Sequence, residues 1–370
     1  MGADLVLDST DHEAIAAPTV DRSAVVEEWS SEPNLDGLRA FAVLCVVARH
    51  LLTMFEIPAR SWFQPQALGT FGVVIFFVHT SLVLMLSLDR QQARRPISEP
   101  RLYAGFLVRR AFRIYPLSVA TVLLIYFVLI PFADADSPRA GLAAVQDPRA
   151  LVMNLLLIQD VTRSPLMEIP LWSLPAEVQM YLVLPALYFL ARARGLKLFF
   201  LVIWPLAVVT AVICKKLNSP LTVGLYAPCF VAGVICYLLL KARRPLPFWL
   251  FPATLAVILG AYMIGYARFG MQAGLGIIAT LVLAFVIPSF APMRARWLRR
   301  STHSVAKYSY GIYLFHSPCL WLAFGKLHFL GPFGSVLAFV VLLTAVVVLG
   351  YHALEAPMIA VGRRVARNLA

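Results

Sequence analysis

The sequence predicts an all-α membrane protein in which about ten transmembrane helices surround a central cavity. Its composition points to this class first, because 60% of the 370 residues are hydrophobic, only 14% are charged and the mean hydropathy is +0.78. These values lie far outside the composition of soluble domains. The second observation is that apolar stretches of about twenty residues, long enough to span a bilayer as helices, recur along the chain.

Ten apolar segments carry the predicted helices. They are residues 38–55, 69–88, 112–132, 171–191, 198–214, 221–240, 248–266, 271–290, 305–324 and 333–352. The fourth segment is the least regular, because Pro170, Pro175 and Pro185 border or interrupt it. A broken helix at membrane depth is tolerated where it lines a cavity.

These segments define one predicted transmembrane domain at residues 34–354, between two tails. Residues 1–33 are polar and acidic and lack a basic region followed by an apolar core, so we interpret them as a mostly disordered cytosolic tail rather than a signal peptide. An overextended start codon is the alternative for this stretch. Residues 355–370 are predicted to form a basic cytosolic tail.

Basic residues fall mainly on one side of the predicted bundle. The chain has 32 lysines and arginines against 19 acidic residues, a net charge of +13, and most of the basic residues lie in alternate loops. Since lysine and arginine favour cytoplasmic loops, this bias places both termini in the cytosol. It predicts anionic lipids and a polyanionic cytosolic ligand as partners and argues against nucleic acid.

Five cysteines are scattered through apolar stretches without the spacing of a zinc site: Cys45, Cys214, Cys229, Cys236 and Cys319. We interpret them as small residues of the membrane core. The sequence therefore predicts neither a structural disulfide nor a bound metal.

The first segment, NLDGLRAFAVLCVVARHLL at residues 34–52, places a charge and an imidazole in an apolar run. Arg39 and His50 stand eleven residues apart, which on an α-helix is about three turns, so both lie on nearly one face and about 16 Å apart along the axis. Ionisable groups at membrane depth face a cavity or the protein interior and are functional candidates. A packed, hydrogen-bonded histidine is the structural alternative.

Three arginines near the start of the third segment, Arg109, Arg110 and Arg113, form a second candidate site. Guanidinium groups match phosphate oxygens in bidentate fashion, so the cluster suits a polyphosphate ligand that approaches from the cytosol. Ordinary anchoring at the inner membrane surface is the alternative.

The second and fourth segments add further polar side chains. Glu177 and Tyr181 are one turn apart in PLWSLPAEVQMYLVLP, and the carboxylate could orient an imidazole, accept a sugar hydroxyl or pair with an arginine. His79 lies near the middle of the second segment, where a hydrogen bond across helices is its expected role.

The ninth segment contains a polar stripe. In KYSYGIYLFHSP, Ser309, Tyr313 and His316 occupy positions that share one face of a helix. Because that face must point inward, we expect His316 and His50, from distant parts of the chain, to converge on one cavity.

Together these motifs resemble the acyltransferase-3 family of integral membrane O-acyltransferases. The resemblance covers roughly residues 34–354 and rests on LDGLRAFAVLCVVARH, RRAFR, WSLPAE and SYGIYLFH, in that order. It implies a ten-helix protein of the bacterial inner membrane that takes an acyl group, often acetyl, from cytosolic acyl-CoA. The expected acceptor is a hydroxyl of a cell-surface carbohydrate, or of a lipid-linked or small-molecule compound.

The resemblance also implies roles for the candidate residues. His50 matches the catalytic histidine and is expected to act as general base, with Arg39 supporting it or contacting the donor. The cluster Arg109, Arg110 and Arg113 would bind the coenzyme A phosphates. Glu177 and His316 match further functional positions of the family. Independently of the resemblance, the helical positions described above suggest Tyr181, Ser309, Tyr313 and His79 as supporting residues.

One motif departs from the family pattern. Where many members have GVDxFFVLSG, this chain has GVVIFFVHTS, with Val74 at the acidic position and His79, Thr80 and Ser81 in the tail. The departure indicates a subgroup with a different acceptor or a relocated polar contact.

Other functions and mechanisms stay open on the sequence alone. A transporter of acylated glycans or amphiphiles could use the intramembrane histidines and glutamate as proton carriers, and it would show proton-coupled flux without acyl transfer. An inactive membrane scaffold would tolerate the loss of His50. Within the acyltransferase hypothesis, direct transfer competes with an acyl-histidine relay.

Overall fold

The computed structural model describes residues 22–60, 62–94, 97–128, 147–240, 244–270 and 272–369. These ranges are mostly helical and contain no β-strand, as the sequence predicts. The α-helices are α1 (Arg22–Ser30), α2 (Pro33–Met54), α3 (Pro65–Arg94), α4 (Glu99–Val128), α5 (Pro148–Leu155), α6 (Leu174–Leu198), α7 (Trp204–Lys216), α8 (Thr222–Leu238), α9 (Leu250–Phe269), α10 (Gln272–Val286), α11 (Arg296–Leu320), α12 (Gly331–Gly350) and α13 (Ala356–Leu369). A 3₁₀ turn, Ile169–Trp172, precedes α6.

Six helical stretches of the described chain are long and apolar enough to cross a membrane. They are Ala24–Met54, Pro65–Arg94, Glu99–Val128, Ile169–Lys216, Leu250–Phe269 and His328–Leu369. Two further apolar helices, Thr222–Leu238 and Gly274–Ser289, are shorter. The predicted fourth and fifth segments lie in the single stretch Ile169–Lys216, whose backbone leaves helical geometry at Gly195 with φ of 69°. These helices indicate a membrane protein. The predicted number of about ten spans is larger than the six candidate spans found in the described chain.

Helix α3 is the most enclosed of the candidate spans, because 78% of the residues in its most apolar part are buried. It packs directly against α2 and α8. A Cβ atom at Gly72 would lie 2.5 Å from the backbone oxygen of Ala42, and one at Gly233 would lie 2.4 Å from that of Val78. Such close approach between helix backbones requires glycine. It holds the polar face of α2 next to the middle of α3, where His79 lies.

The start of α2 is fixed by local sequence and by a long-range contact. The Glu32 carboxylate caps the helix by accepting from the backbone N–H of Asn34 at 3.1 Å, and Pro33 occupies the first turn, where its missing N–H is not needed. Before this cap, α1 buries Trp29 completely. Within the tail predicted to be mostly disordered, residues Arg22–Ser30 form α1 and Trp29 packs into the bundle, whereas residues 1–21 lie outside the described part of the chain.

The predicted basic C-terminal tail forms a helix. Helix α13 (Ala356–Leu369) packs along α4, and at Gly362 the backbone approaches the side chain of Phe112 so closely that a Cβ would lie 2.5 Å from it. Helix α11, which contains the ninth predicted segment, packs against α2. The candidate residues on α2, α3, α4, α6 and α11 are thereby brought to two neighbouring cavities.

Candidate active site

The first cavity, which we call the arginine cavity, has a volume of about 100 Å³ and collects most of the sequence-predicted residues. Its polar lining consists of Arg39, His79, Thr80, Arg110, Arg113, Ser173, Glu177, Tyr181, Ser309, Tyr310 and Tyr313. Five helices, α2, α3, α4, α6 and α11, supply these side chains. The structure therefore brings Arg39, His79 and Glu177 together, as expected for one functional site.

Opposite charges face each other inside the arginine cavity. Glu177 is the carboxylate that acts most strongly on Arg39, and the hydroxyl of Tyr181 donates a hydrogen bond to Glu177 Oε1. The Nε atoms of Arg39 and Arg110 are buried and have no hydrogen-bond acceptor among the described residues. Glu177 thus balances part of the positive charge, and donor capacity remains for a ligand.

The three clustered arginines have three different surroundings. Arg110 lines the arginine cavity and lies over the ring of Phe106, with its guanidinium carbon 5.9 Å from the ring centroid. Arg113 also lines the cavity, but its guanidinium is ion-paired with the buried carboxylate of Glu355. Arg109 donates to Gln91 on α3 and is not part of the cavity lining. The structure brings Arg110 and Arg113 together at the cavity and turns Arg109 away from it.

The second cavity, which we call the histidine cavity, is larger, about 440 Å³. Its polar and aromatic lining consists of Arg49, His50, Gln66, Thr70, Trp172, Tyr226 and Tyr313. His316 lies directly behind His50, with their ring centroids 5.0 Å apart and the rings inclined by 49°. His50 is 5% exposed and His316 is 0% exposed. The two imidazoles are therefore adjacent, as expected, although only His50 lines the cavity.

Hydrogen bonds fix the protonation pattern of the two imidazoles in their neutral forms. Arg49 can only donate, so its contact with His50 Nδ1 at 2.9 Å makes that nitrogen an acceptor and places the His50 proton on Nε2. His316 Nδ1 faces the backbone oxygens of Tyr313 and Ile312 at 2.8 and 3.1 Å, so it must carry the proton. The lone pair of His316 therefore lies on Nε2, which is buried and has no partner in the described part of the chain.

Tyr313 joins the two cavities. Its side chain lines both of them. Its hydroxyl contacts Ser173 Oγ at 2.7 Å and the backbone oxygen of Pro170 at 2.8 Å. Tyr313 is thus attached to the 3₁₀ turn before α6, one helical turn before His316. Ser309, the third residue of the predicted stripe, is buried and donates to the backbone oxygen of Ala306 at 2.8 Å.

Several residues that line or support the two cavities are not among the site residues predicted from the sequence. Arg49 could have been identified from the sequence, because it is a second ionisable residue beside His50 in an apolar run. Ser173 and Trp172 lie inside the WSLPAE motif, but their side chains carried no charge to single them out. Glu355 follows the last predicted span, and nothing in its local sequence indicates a partner 242 residues away.

The structure gives no geometry for a metal or a disulfide in its described part. No group of three or more histidine, cysteine or acidic side chains there could hold a metal ion, and the five cysteines are free thiols. The polar side chains that line the two cavities include imidazole, carboxylate, phenol and guanidinium groups, which can take part in acid–base and electrostatic chemistry.

Comparison with known proteins agrees with this inventory. The model of the acyltransferase-3 family, described as an acyltransferase domain, matches residues 32–354. Acyltransferase MdmB of Streptomyces mycarofaciens is 30% identical over 174 residues, which are 43% of this chain and 40% of that protein. No solved structure matches. Because the family match includes both cavities and most of the chain, this protein belongs to the acyltransferase-3 family.

Proposed function

We propose that this protein is an acyltransferase that moves an acyl group, most simply acetyl, from cytosolic acyl-CoA to a hydroxyl of a carbohydrate, lipid-linked or small-molecule acceptor at the cell envelope. The observation that carries the proposal is the buried pair of His50 and His316, because one of its nitrogens is an unpaired proton acceptor and another is a proton donor. A neutral imidazole is suited to remove a proton from a hydroxyl.

The hydrogen bonds favour a division of roles within the histidine pair. The family resemblance gives the general base to His50, but its Nδ1 is occupied by Arg49 and its Nε2 carries a proton. We assign the base to His316 Nε2. The Nε2–H of His50 then faces the thioester oxygen and stabilises the negative charge that develops there. The rings are 5.0 Å apart, close enough for both groups to act on one reacting centre.

The transfer balances without a further reactant. The proton of the acceptor hydroxyl goes to His316 Nε2 as the hydroxyl oxygen attacks the thioester carbonyl carbon. The carbon–sulfur bond breaks as the ester bond forms, and the departing thiolate takes the proton back from His316. The products are the ester and free coenzyme A.

Membrane placement and donor approach belong to the same proposal. About ten spans around the two cavities, in a bacterial inner membrane with both termini in the cytosol, would put most basic residues on the donor side. Arg39 and Arg110 in the arginine cavity then lie between that side and the histidine pair, with Glu177 balancing part of their charge and Tyr181 hydrogen-bonded to Glu177.

The test is acyl transfer by purified protein reconstituted in lipid. Radiolabelled acetyl-CoA and a cell-envelope extract are supplied, and both thiol release and label transfer are measured. Wild type should release thiol and transfer label, and His316→Ala should lose both activities while still binding acetyl-CoA. His328→Ala is the control, because His328 is exposed and bonds only the backbone oxygen of Gly325, at 3.0 Å.

Two results would count against this function. Wild type that neither binds acetyl-CoA nor releases thiol contradicts the donor. Proton-coupled flux of an acylated compound without acyl transfer would instead support a transporter.

A further inference from the structure

A third cavity lies at the start of α2 and α11, away from both cavities described above. We call it the arginine groove. It has a volume of about 530 Å³ and is lined by Ser31, Pro33, Asp36, Arg294, Arg296, Arg299, Arg300 and His303. All four of its arginines are exposed, and none forms an ion pair with a described residue.

The walls of the groove are held in place by specific contacts. The side chain of Asn34 donates to the backbone oxygen of Ala291 and accepts from the backbone N–H of Met293, both at 3.0 Å. This pair of bonds ties the segment before α11 to the first turn of α2. On the other side, Arg244 lies 3.8 Å above the ring of Trp29 and is ion-paired with Glu32. The groove is therefore a built feature rather than a row of arginines on a mobile loop.

The chemistry of the groove suits phosphate groups. Four guanidinium groups converge there, and the lining contains one carboxylate, Asp36, which contacts His303 Nδ1 at 2.8 Å. The first turn of α11 also opens into it, and this 25-residue helix has no side-chain cap on its N-terminal N–H groups. Free backbone N–H groups at a helix start and forked guanidinium donors both favour phosphate oxygens.

The groove and the arginine cavity are both lined by residues of α2 and α11. Helix α2 carries Asp36 in the groove and Arg39 in the arginine cavity, one turn apart, and α11 carries His303 in the groove and Ser309 in the cavity. By helix rise, these separations are about 4.5 and 9 Å. A long, narrow donor with phosphates at one end and a thioester at the other would run along these two helices toward the histidine pair.

We propose that the arginine groove binds the phosphate groups of acyl-CoA, so that the acyl-bearing arm enters through the arginine cavity. This inference rests on the proposed function. It moves the phosphate site from the cluster Arg109, Arg110 and Arg113, where Arg113 is already paired with Glu355 and Arg109 is bonded to Gln91, to arginines without such partners.

The experiment compares two charge-matched triple variants in nanodiscs of neutral lipid. One carries Arg296→Gln, Arg299→Gln and Arg300→Gln in the groove, and the control carries Arg363→Gln, Arg364→Gln and Arg367→Gln at exposed positions of α13. Glutamine retains helix propensity close to that of arginine. Coenzyme A binding is measured by titration calorimetry, and thiol release is measured with acetyl-CoA and with acetyl-pantetheine, which has the thioester but no phosphate.

The groove variant should bind coenzyme A at least about tenfold more weakly, as expected for lost charge-assisted hydrogen bonds. Its KM for acetyl-CoA should rise equally, its activity on acetyl-pantetheine should stay unchanged, and the control should match wild type. Equal weakening in both variants, unchanged coenzyme A binding, or no binding by wild type each overturns the proposal.

Two further outcomes separate this site from other possibilities. If wild type binds coenzyme A, the groove variant does not, and neither protein transfers acyl groups, the groove stands and the proposed function fails. If binding of coenzyme A is unchanged but the groove variant alone loses anionic lipid in native mass spectrometry, the ligand is a lipid headgroup and the assignment to acyl-CoA is wrong.

Discussion

The arginine cavity and the histidine cavity share Tyr313 but accommodate polar groups in the bundle by different means. In the arginine cavity, permanent charges are present and largely balanced, as in the pair of Arg113 and Glu355. In the histidine cavity, the two imidazoles can be neutral and are placed by hydrogen bonds to Arg49 and to backbone oxygens. A fixed charge must be compensated at all times, whereas an imidazole can gain and lose a proton during a reaction. In the proposed function, the arginine cavity accordingly binds the acyl donor and the histidine cavity carries out the reaction.

The largest effects are expected from the histidine pair, and they test its division of roles. Glutamine keeps an N–H donor near the position of His Nε2 but offers no imidazole lone pair. His316→Gln and His316→Ala should therefore both lower kcat by about 10²–10⁴-fold, the range for loss of a general base. His50→Gln should retain about tenfold more activity than His50→Ala, because the donor to the thioester oxygen survives.

Initial rates of thiol release in reconstituted protein measure this comparison. His328→Gln is the matched control, since His328 is exposed. If His50→Gln is as inactive as His50→Ala while His316→Gln keeps most of the activity, the base lies on His50, as the family resemblance implies. Equal partial activity in the two glutamine variants would remove the distinction between them.

The next largest effect should appear at the buried ion pair of the arginine cavity. Arg113→Gln leaves the Glu355 carboxylate buried without its partner, and breaking such a pair typically costs about 3–5 kcal/mol. The double variant Arg113→Met with Glu355→Leu removes both charges, so it should recover most of the stability. Thermal unfolding in detergent checks both expectations.

The same double variant tests what Arg113 does. If Arg113 is structural, the KM for acyl-CoA in the double variant should stay within about twofold of wild type, because no charge-assisted hydrogen bond to acyl-CoA is lost. A variant of wild-type stability with a KM raised tenfold would show that Arg113 contacts the donor, as the sequence predicts.

Helical periodicity accounts for what the sequence could predict about the site. It placed Ser309, Tyr313 and His316 on one inward face and indicated that His316 and His50 converge, and the structure buries all four. Apolar length likewise indicated a membrane class, which six long helices support. These properties depend on residues a few positions apart in one helix, so local sequence contains them.

Pairing between distant elements could not be predicted in the same way. Arg109, Arg110 and Arg113 lie close together in the middle of α4, yet the contacts of Arg109 and Arg113 are with Gln91 and Glu355, which lie 18 and 242 residues from them. Residues 22–33 are polar enough to suggest disorder, but Trp29 finds a place in the bundle under Arg244. Helical periodicity predicts which side chains lie on the same face of a helix. It does not predict which residues of other helices they contact.

A smaller effect is expected where the two cavities meet. Tyr313→Phe removes a hydroxyl that contacts Ser173 and Pro170, so the 3₁₀ turn is held less firmly over both cavities. We expect kcat to fall about tenfold because the groups at the reacting centre are then less well aligned. A tenfold change corresponds to roughly the free energy of one hydrogen bond. The control Tyr310→Phe also removes a buried hydrogen bond, to the backbone oxygen of Ile114 at 2.7 Å, but lines only the arginine cavity. Equal kcat losses in both variants would contradict a role of Tyr313 in linking the cavities.

The smallest effect should come from Arg109, and it is the sharpest test of how the arginines divide. Arg109 bonds Gln91 and is absent from the cavity lining, so Arg109→Gln should change the KM for acyl-CoA by less than about twofold. Arg110→Gln removes a guanidinium whose Nε has no partner in the described chain, so its KM should rise several-fold more. Both substitutions remove one positive charge from adjacent positions of α4, which cancels any general electrostatic attraction of the donor. A large KM increase for Arg109→Gln would mean that bound acyl-CoA draws this side chain away from Gln91. The contacts between arginines and acyl-CoA would then include a residue of α4 that lies outside the arginine cavity.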